Sequence, residues 1–231
     1  GTDTPDNIYI LGAHYDHVGG DMPGGDDNAS GTAGVLEAAR VMSQHSYEST
    51  IRFVFFNAEE DGLLGSRDYI NNHIIPNGEN IMGVLNLDMI LRPGRDDGLE
   101  PSIIDVDLET KSGAAGSAAS LTLSQAFQLA ATDYVPSVIV DPTISSYPED
   151  YSDHAPFTSA GFPAVLVIEN SGDQWPDDSS NNIYYHTSED ASDRLANDPG
   201  NPSGVTYDYP YATDITRVSV ALIAQEAQLK P

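Results

Sequence analysis

Apolar runs recur along the chain, and several of them end in an acid or run into a histidine. Ile8-Tyr9-Ile10-Leu11 predicts a strand over 7–11. From 31 to 45, Val35, Leu36, Ala39 and Met42 recur at helical spacing, with Ser30 placed to cap that helix. The β-branched and aromatic stretch 50–56 predicts a buried strand, and a helix is expected over about 64–72. Further strands are expected over 82–87, ending at Asp88, over 102–107, over 137–140, and over 163–168, ending at Glu169. Helices are expected over 121–132, 153–160 and 214–229, the last with Ile215, Val218, Leu222 and Ile223 inward. The rest of 92–118 and most of 170–206 read as loop, broken by Tyr184-Tyr185-His186. Strands that alternate with helices predict an α/β fold whose mainly parallel sheet is covered on both faces. No repeat or linker interrupts the pattern, so 1–231 reads as a single domain.

Composition narrows the classes. Apolar content of 39% with 12 Tyr, 6 Phe and 1 Trp excludes a disordered chain. The absence of Cys excludes disulfides, thiolate metal sites and a Cys nucleophile. The balance of 36 acids against 9 bases, net −27, repels nucleic acid and anionic membranes. No run of 18 apolar residues would span a membrane. The acidic surface fits a secreted or periplasmic monomer whose signal region is absent from this chain, although salt adaptation inside a cell gives the same balance. A start at Gly1 rather than Met reads as processing or trimming.

The candidate chemistry lies where apolar runs end. The run before Gly12 delivers His14 and Asp16, the Phe53–Phe56 run delivers Glu59 and Glu60, the Val84–Leu87 run delivers Asp88, and the Ala164–Ile168 run leads after a loop to His186. A Gly-rich turn adds Asp26 and Asp27. In open α/β sheets such groups converge on a crevice beyond the carboxyl ends of the strands. Several carboxylates buried together need compensating positive charge. Divalent cations supply it, and two histidines with three or four carboxylates suit zinc. Taken singly, each signal is weak: His-x-Asp is commonly structural, adjacent glutamates are commonly solvated, and an Asp after a strand is commonly a cap. His17, His45 and His73 read as surface, and His154 as a structural hydrogen-bonding residue. The Asp-rich stretches at Asp96-Asp97 and Asp177-Asp178 are calcium candidates without EF-hand spacing.

Six segments in order resemble the co-catalytic zinc aminopeptidases of the M28 family: G-A-H-Y-D at 12–16, D-D-N-A-S-G at 26–31, N-A-E-E-D-G-L-L-G-S at 57–66, N-L-D-M at 86–89, Y-S-D-H-A-P-F at 151–157 and Y-Y-H-T at 184–187. The resemblance implies a three-layer α/β/α sandwich around a mixed, mostly parallel sheet. It implies two Zn²⁺, with Asp27 as the bridging carboxylate before an often cis peptide bond to Asn28. His14 and Asp88 would complete one zinc, and Glu60 and His186 the other. Glu59 matches the general base, Asp16 the carboxylate that orients His14, and Tyr185 a tyrosine that hydrogen-bonds a developing oxyanion. The implied activity is hydrolysis of the amino-terminal residue from a peptide with a free amino terminus, by a hydroxide bridging the metals. Trp175, Tyr184 and Phe157 are candidates to line the pocket for the first side chain. The rivals are a glutaminyl cyclase-like acyltransferase with one zinc, a carboxypeptidase for acidic residues, and a non-catalytic binding domain of the same fold. Family members usually carry a helix and a strand ahead of the strand leading to His14, and this chain lacks them.

Overall fold

The computed structural model describes residues 1–92, 104–109, 113–141, 151–169, 182, 184–192 and 207–230. Six strands form one sheet in the order β2-β1-β3-β6-β4-β5, comprising β1 (Thr4–His14), β2 (Ser49–Phe56), β3 (Asn80–Leu87), β4 (Ile104–Glu109), β5 (Val138–Asp141) and β6 (Ala164–Glu169). Strands β2, β1, β3 and β6 run parallel. β4 pairs antiparallel with β6 and parallel with β5, so the sheet reverses once, between β6 and β4.

Period-two alternation sends the strand side chains to two apolar layers. Tyr9, Leu11 and Ala13 of β1, Leu85 and Leu87 of β3, and Val165 and Val167 of β6 face one side. There they meet α1 (Ala29–Met42), α4 (Ser117–Tyr134) and α6 (Tyr209–Glu226). Ile8, Ile10, Val84 and Ala164 face the other side. That layer is built by α2 (Leu64–Tyr69), which passes through a π-helical turn (Ile70–Ile74) into α3 (Ile75–Asn77), and by α5 (His154–Ala160). The result is a three-layer α/β/α sandwich. Ile10 and Leu11 are fully buried on opposite faces of β1, and each such side chain contributes about 1.5–3 kcal/mol.

Several elements differ from the pattern-based expectation. β1 continues to His14, so that histidine is the last residue of the strand rather than a residue beyond it. The cap of α1 is Asn28, whose Oδ1 accepts the Gly31 amide at 2.9 Å; the Ser30 hydroxyl instead donates to the Asp26 carbonyl and accepts the Ile90 amide. The buried stripe of α1 runs through Gly31, Gly34, Val35, Ala38 and Met42, and Leu36 is 56% exposed. Glycines at the stripe let the helix close on β3 and α6, so the small residues, not the leucine, mark the contact. β2 is an edge strand among the described residues, with six of its eight positions half-buried. Phe157 packs into the core against Phe56, and Tyr184 packs edge-on against Tyr207, so neither aromatic lines the cleft of the candidate site. His17, His45 and His73 are exposed as expected. Trp175, Asp96-Asp97 and Asp177-Asp178 lie outside the described residues.

Candidate metal centre

Strand register brings the first two polar groups level. Gly12 pairs with Asn86, so two residues further along each parallel strand His14 faces Asp88. His14 also pairs with Phe56 of β2, which sets the turn carrying Glu59 and Glu60 beside it. β1 lies between β2 and β3, the place where successive connections leave to opposite sides and open a crevice. The loop before α1 then folds across the strand ends. The Asn28 Nδ2 donates to the Leu87 carbonyl at 2.9 Å, tying the start of α1 to the end of β3, and the Asp27–Asn28 peptide bond is cis.

The five predicted metal-type ligands fall into two triads that share Asp27: His14, Asp27 and Asp88, and Asp27, Glu60 and His186. His14 Nε2 lies 3.2 Å from Asp27 Oδ1 and 3.2 Å from Asp88 Oδ1. His186 Nε2 lies 3.1 Å from Asp27 Oδ2 and 3.2 Å from Glu60 Oε2. The two oxygens of one carboxylate thus face two different histidines. A tetrahedral zinc with ligand distances near 2.0–2.2 Å needs donor atoms about 3.3 Å apart. The histidine–carboxylate pairs of both triads come close to that spacing, and the buried Glu60 Oε1 has no hydrogen-bond partner among the described residues. The donor chemistry of each triad therefore fits zinc, and Asp27 belongs to both.

The surrounding residues hold these atoms in place. His14 Nδ1 sits 3.2 Å from the Asp16 carbonyl, which fixes the tautomer that leaves Nε2 free to bind a cation. The Asp16 carboxylate is 3.6 Å from the same ring, and its two oxygens accept the amides of Glu59 and Glu60 at 3.1 and 3.2 Å. Asp16 was expected to orient His14 through its carboxylate; the closer contact is its backbone carbonyl, while the carboxylate clamps the glutamate turn. Asn86 donates to Ser152, and Ser152 donates to Asp88 Oδ2 at 2.6 Å, leaving Oδ1 aimed at His14. The Tyr185 ring stacks on His186 at 3.6 Å between centroids.

Asp190 was not singled out in the sequence, yet it connects the two ends of the site. Its carboxylate accepts the amides of Asp26 at 2.8 Å and Asp27 at 3.1 Å, and its carbonyl accepts the Gly25 amide. Tyr207 donates to the same carboxylate. Asp190 closes the turn that begins at Tyr184 and carries His186, so one side chain ties the His186 turn to the backbone of Asp27. Asp26 itself points away from both triads and accepts the Leu91 amide and the Asn182 side chain in a fully buried pocket. Its local sequence signal, Asp next to Asp, did not separate the two roles.

Of the five described non-glycine residues with positive φ, Leu63 and Met89 line this cleft, Ala58 and His186 each adjoin a residue that does, and the φ of all four lies between 54° and 61°. Backbone in that region costs on the order of 1–3 kcal/mol per residue and persists where surrounding contacts impose it. Here it turns each ligand-bearing segment back across the strand ends. The cleft encloses about 270 Å³, and its apolar lining comes from Leu63, Met89 and Ile168. A larger groove of about 1250 Å³ lies between α1 and α6, and neither triad reaches it.

Electrostatics mark the same place. Glu59 is 8% exposed and its carboxyl is pushed up to about 9, first by burial and then by repulsion from Asp88. Burial also raises Glu60. His186 is raised to about 9; burial opposes protonation, and hydrogen bonds that the imidazolium donates to Asp27 and Glu60 outweigh it. His14 is raised too, Asp88 and Asp27 overcoming burial. Asp27 is held low against its burial by the two histidines. Shifts of this kind on His14, Asp27, Glu59, Glu60 and His186 are expected where a cation is needed to balance the charge.

Comparison with known proteins agrees with this geometry. Residues 1–200 match the family model of Peptidase family M28. The chain is 34% identical over 161 residues to leupeptin-inactivating enzyme 1 of Streptomyces exfoliatus, covering 69% of this chain and 32% of that one. It is 31% identical over 175 residues to leucine aminopeptidase 1 of Trichophyton equinum, covering 71% and 44%. The structure of BSAP, a zinc aminopeptidase from Bacillus subtilis, superposes with a TM-score of 0.72 at 26% identity, covering 98% of this chain and 47% of that one. The chain thus spans less than half the length of these three relatives.

Proposed function

The chain belongs to peptidase family M28, and on that premise we propose that it is a two-zinc aminopeptidase that removes the amino-terminal residue of peptides. The observation that carries the reading is the split carboxylate of Asp27, with one oxygen on each histidine. His14, Asp27 and Asp88 would hold one zinc, and Asp27, Glu60 and His186 the other. When bound, the pair supplies Lewis acidity toward water and toward the scissile carbonyl. The relatives' names, leucine aminopeptidase and zinc aminopeptidase, support the same assignment.

The protein's own groups supply the remaining steps. Glu59 lines the cleft, belongs to neither triad, and stands next to Glu60, which does. As general base it takes a proton from the attacking water and delivers one to the leaving amine. Its raised pKa suits the second transfer, and cations in the triads would bring it back toward neutrality. Glu59 and Asp88 present negative charge to a protonated amino terminus, which selects an unblocked peptide. Leu63, Met89 and Ile168 offer an apolar surface for the first side chain. Tyr185 stacks on His186 at the cleft wall, and in this reading its hydroxyl would hydrogen-bond the developing oxyanion. Two complete triads favour the peptidase over a cyclase working with one zinc.

The test is hydrolysis of leucyl anilide with a free amine against its N-acetylated form, each before chelation, after chelation and after zinc is restored. Cleavage of the free-amine form alone, lost on chelation and regained with zinc, is expected. Cleavage of both forms, or cleavage indifferent to chelation, would overturn the proposal.

A further inference from the structure

Six Lys or Arg residues fall among the described residues. Arg40, Arg52, Arg217 and Lys230 are ion-paired with Glu37, Glu79, Asp214 and Asp3, and Arg92 lies buried beside Glu169 and Asp26. The sixth, Arg67, has no side-chain partner among the described residues, in a chain where acids outnumber bases 36 to 9. It lies on α2 and lines the cleft together with His14, Asp27, Glu60 and Asp88. Glu59 and Glu60 line that cleft as well, and neither engages it. A guanidinium that none of the described carboxylates engages is available for a carboxylate from outside.

Cleft size narrows the ligand. At about 270 Å³ the cavity is smaller than the roughly 300–1,000 Å³ of sites that enclose drug-sized molecules. A short peptide fits, and its second residue then ends within or just outside the cleft. We propose that Arg67 is a specificity residue that binds a carboxylate on the second residue of the substrate. The protein would thus favour dipeptides, through their free carboxyl terminus, or peptides with Asp or Glu in second position. This rests on the aminopeptidase reading and adds a substrate class to it. An exposed guanidinium holds substrate and transition state alike, so the effect belongs in KM rather than kcat. Arg presents a planar fork that matches carboxylate geometry, and Lys at this position would keep the charge and lose the fork.

The experiment compares three substrates that share an amino-terminal leucine: Leu-Gly, Leu-Gly-amide and Leu-Asp-amide. The zinc-loaded protein is expected to show a KM about fivefold lower for at least one of the two carboxylate-bearing substrates than for Leu-Gly-amide, the size of an exposed ion pair. Preference for Leu-Gly identifies the terminal carboxylate, and preference for Leu-Asp-amide the side chain. In Arg67→Gln the KM ratio should fall to about one, and Arg67→Lys should restore part of it. Equal KM values in the wild-type protein, or an unchanged ratio in Arg67→Gln, would overturn the proposal. The same ratios are read as dissociation constants on the Glu59→Gln background, without turnover. Failure of the aminopeptidase reading is separate: leucyl anilide carries no carboxylate, and its resistance to the zinc-loaded protein sinks the parent reading alone.

Discussion

At the scale of single residues, the site separates groups that would touch a metal from groups that aim them. Glu59 and Glu60 are neighbours with different surroundings: Glu60 faces His186, whereas Glu59 stays outside both triads. Glu59→Gln should therefore keep two zinc ions, read by metal analysis, and lose about 10²–10⁴-fold in kcat as general-base variants do. Loss of metal in that variant would mean that the two glutamates are interchanged. Asp190 makes the opposite prediction. It touches no candidate metal position but holds the amides of Asp26 and Asp27 from the turn that carries His186. Asp190→Ala should weaken zinc binding about 10–100-fold in a competition titration, the usual size of an outer-shell loss. Two ions held at wild-type affinity would show that Asp190 serves the loop alone. Four of the five candidate ligand positions were legible because an apolar run leads to each, whereas Asp27 sits in a Gly-rich turn and was singled out only through the resemblance of D-D-N-A-S-G to the family. Asp190 was not legible, because its partners lie 163 and 164 residues away and nothing local marks it.

At the scale of elements, the decisive contact is the approach of α1 to the end of β3. A Cβ on Gly31 would stand 2.2 Å from the Leu87 carbonyl oxygen and 2.4 Å from Asn28 Oδ1. Only glycine lets the helix start that close, and the approach holds Asp27 across from Asp88. Gly31→Ala should cost about 1–3 kcal/mol of stability in denaturant melts, the range for forced overpacking. It should also weaken zinc binding, because Asn28 loses its bond to Leu87 when the helix backs away. Unchanged melting together with unchanged metal affinity would show that the helix shifts freely. Pattern reading found nearly every helix and strand, because buried strands and amphipathic helices differ in apolar period. It put the cap at Ser30 because Ser favours caps, whereas Asn28 wins by bonding both to Gly31 and to β3. It left the direction of β4 undecided, since an apolar run carries no sign of which way it crosses the sheet.

At the scale of the whole molecule, the acids set how stability depends on pH and metal. Asp26 and Asp153 are raised to about 7, and Glu59 to about 9, each chiefly by burial. A group whose folded pKa lies above its unfolded value contributes stability below the unfolded value and loses it as pH rises through the folded one. For these carboxyls the loss begins near the ordinary value of about 4 and runs to about 7 for the aspartates and about 9 for Glu59. His186, raised to about 9, adds a loss between about 6.5 and 9. Asp16 and Asp27 are lowered, so their contribution is lost only as pH falls below the ordinary carboxyl range. The chelated protein should therefore be most stable in mildly acidic solution and lose stability steadily from about pH 5 to pH 9. Net charge of −27 at neutral pH pushes in the same direction through self-repulsion. Zinc reverses the slope. Its ligands must be deprotonated, so binding releases protons and tightens as pH rises. Because metal bound to the folded state alone stabilises by mass action, the gap in Tm between zinc-loaded and chelated protein should widen from pH 5 to pH 9. Thermal melts at fixed zinc and chelator read this directly. A gap that stays constant with pH would mean that metal binding does not displace protons from His14, His186 and Glu60, and a chelated protein that gains stability toward pH 9 would mean that the buried acids are ionised in the fold.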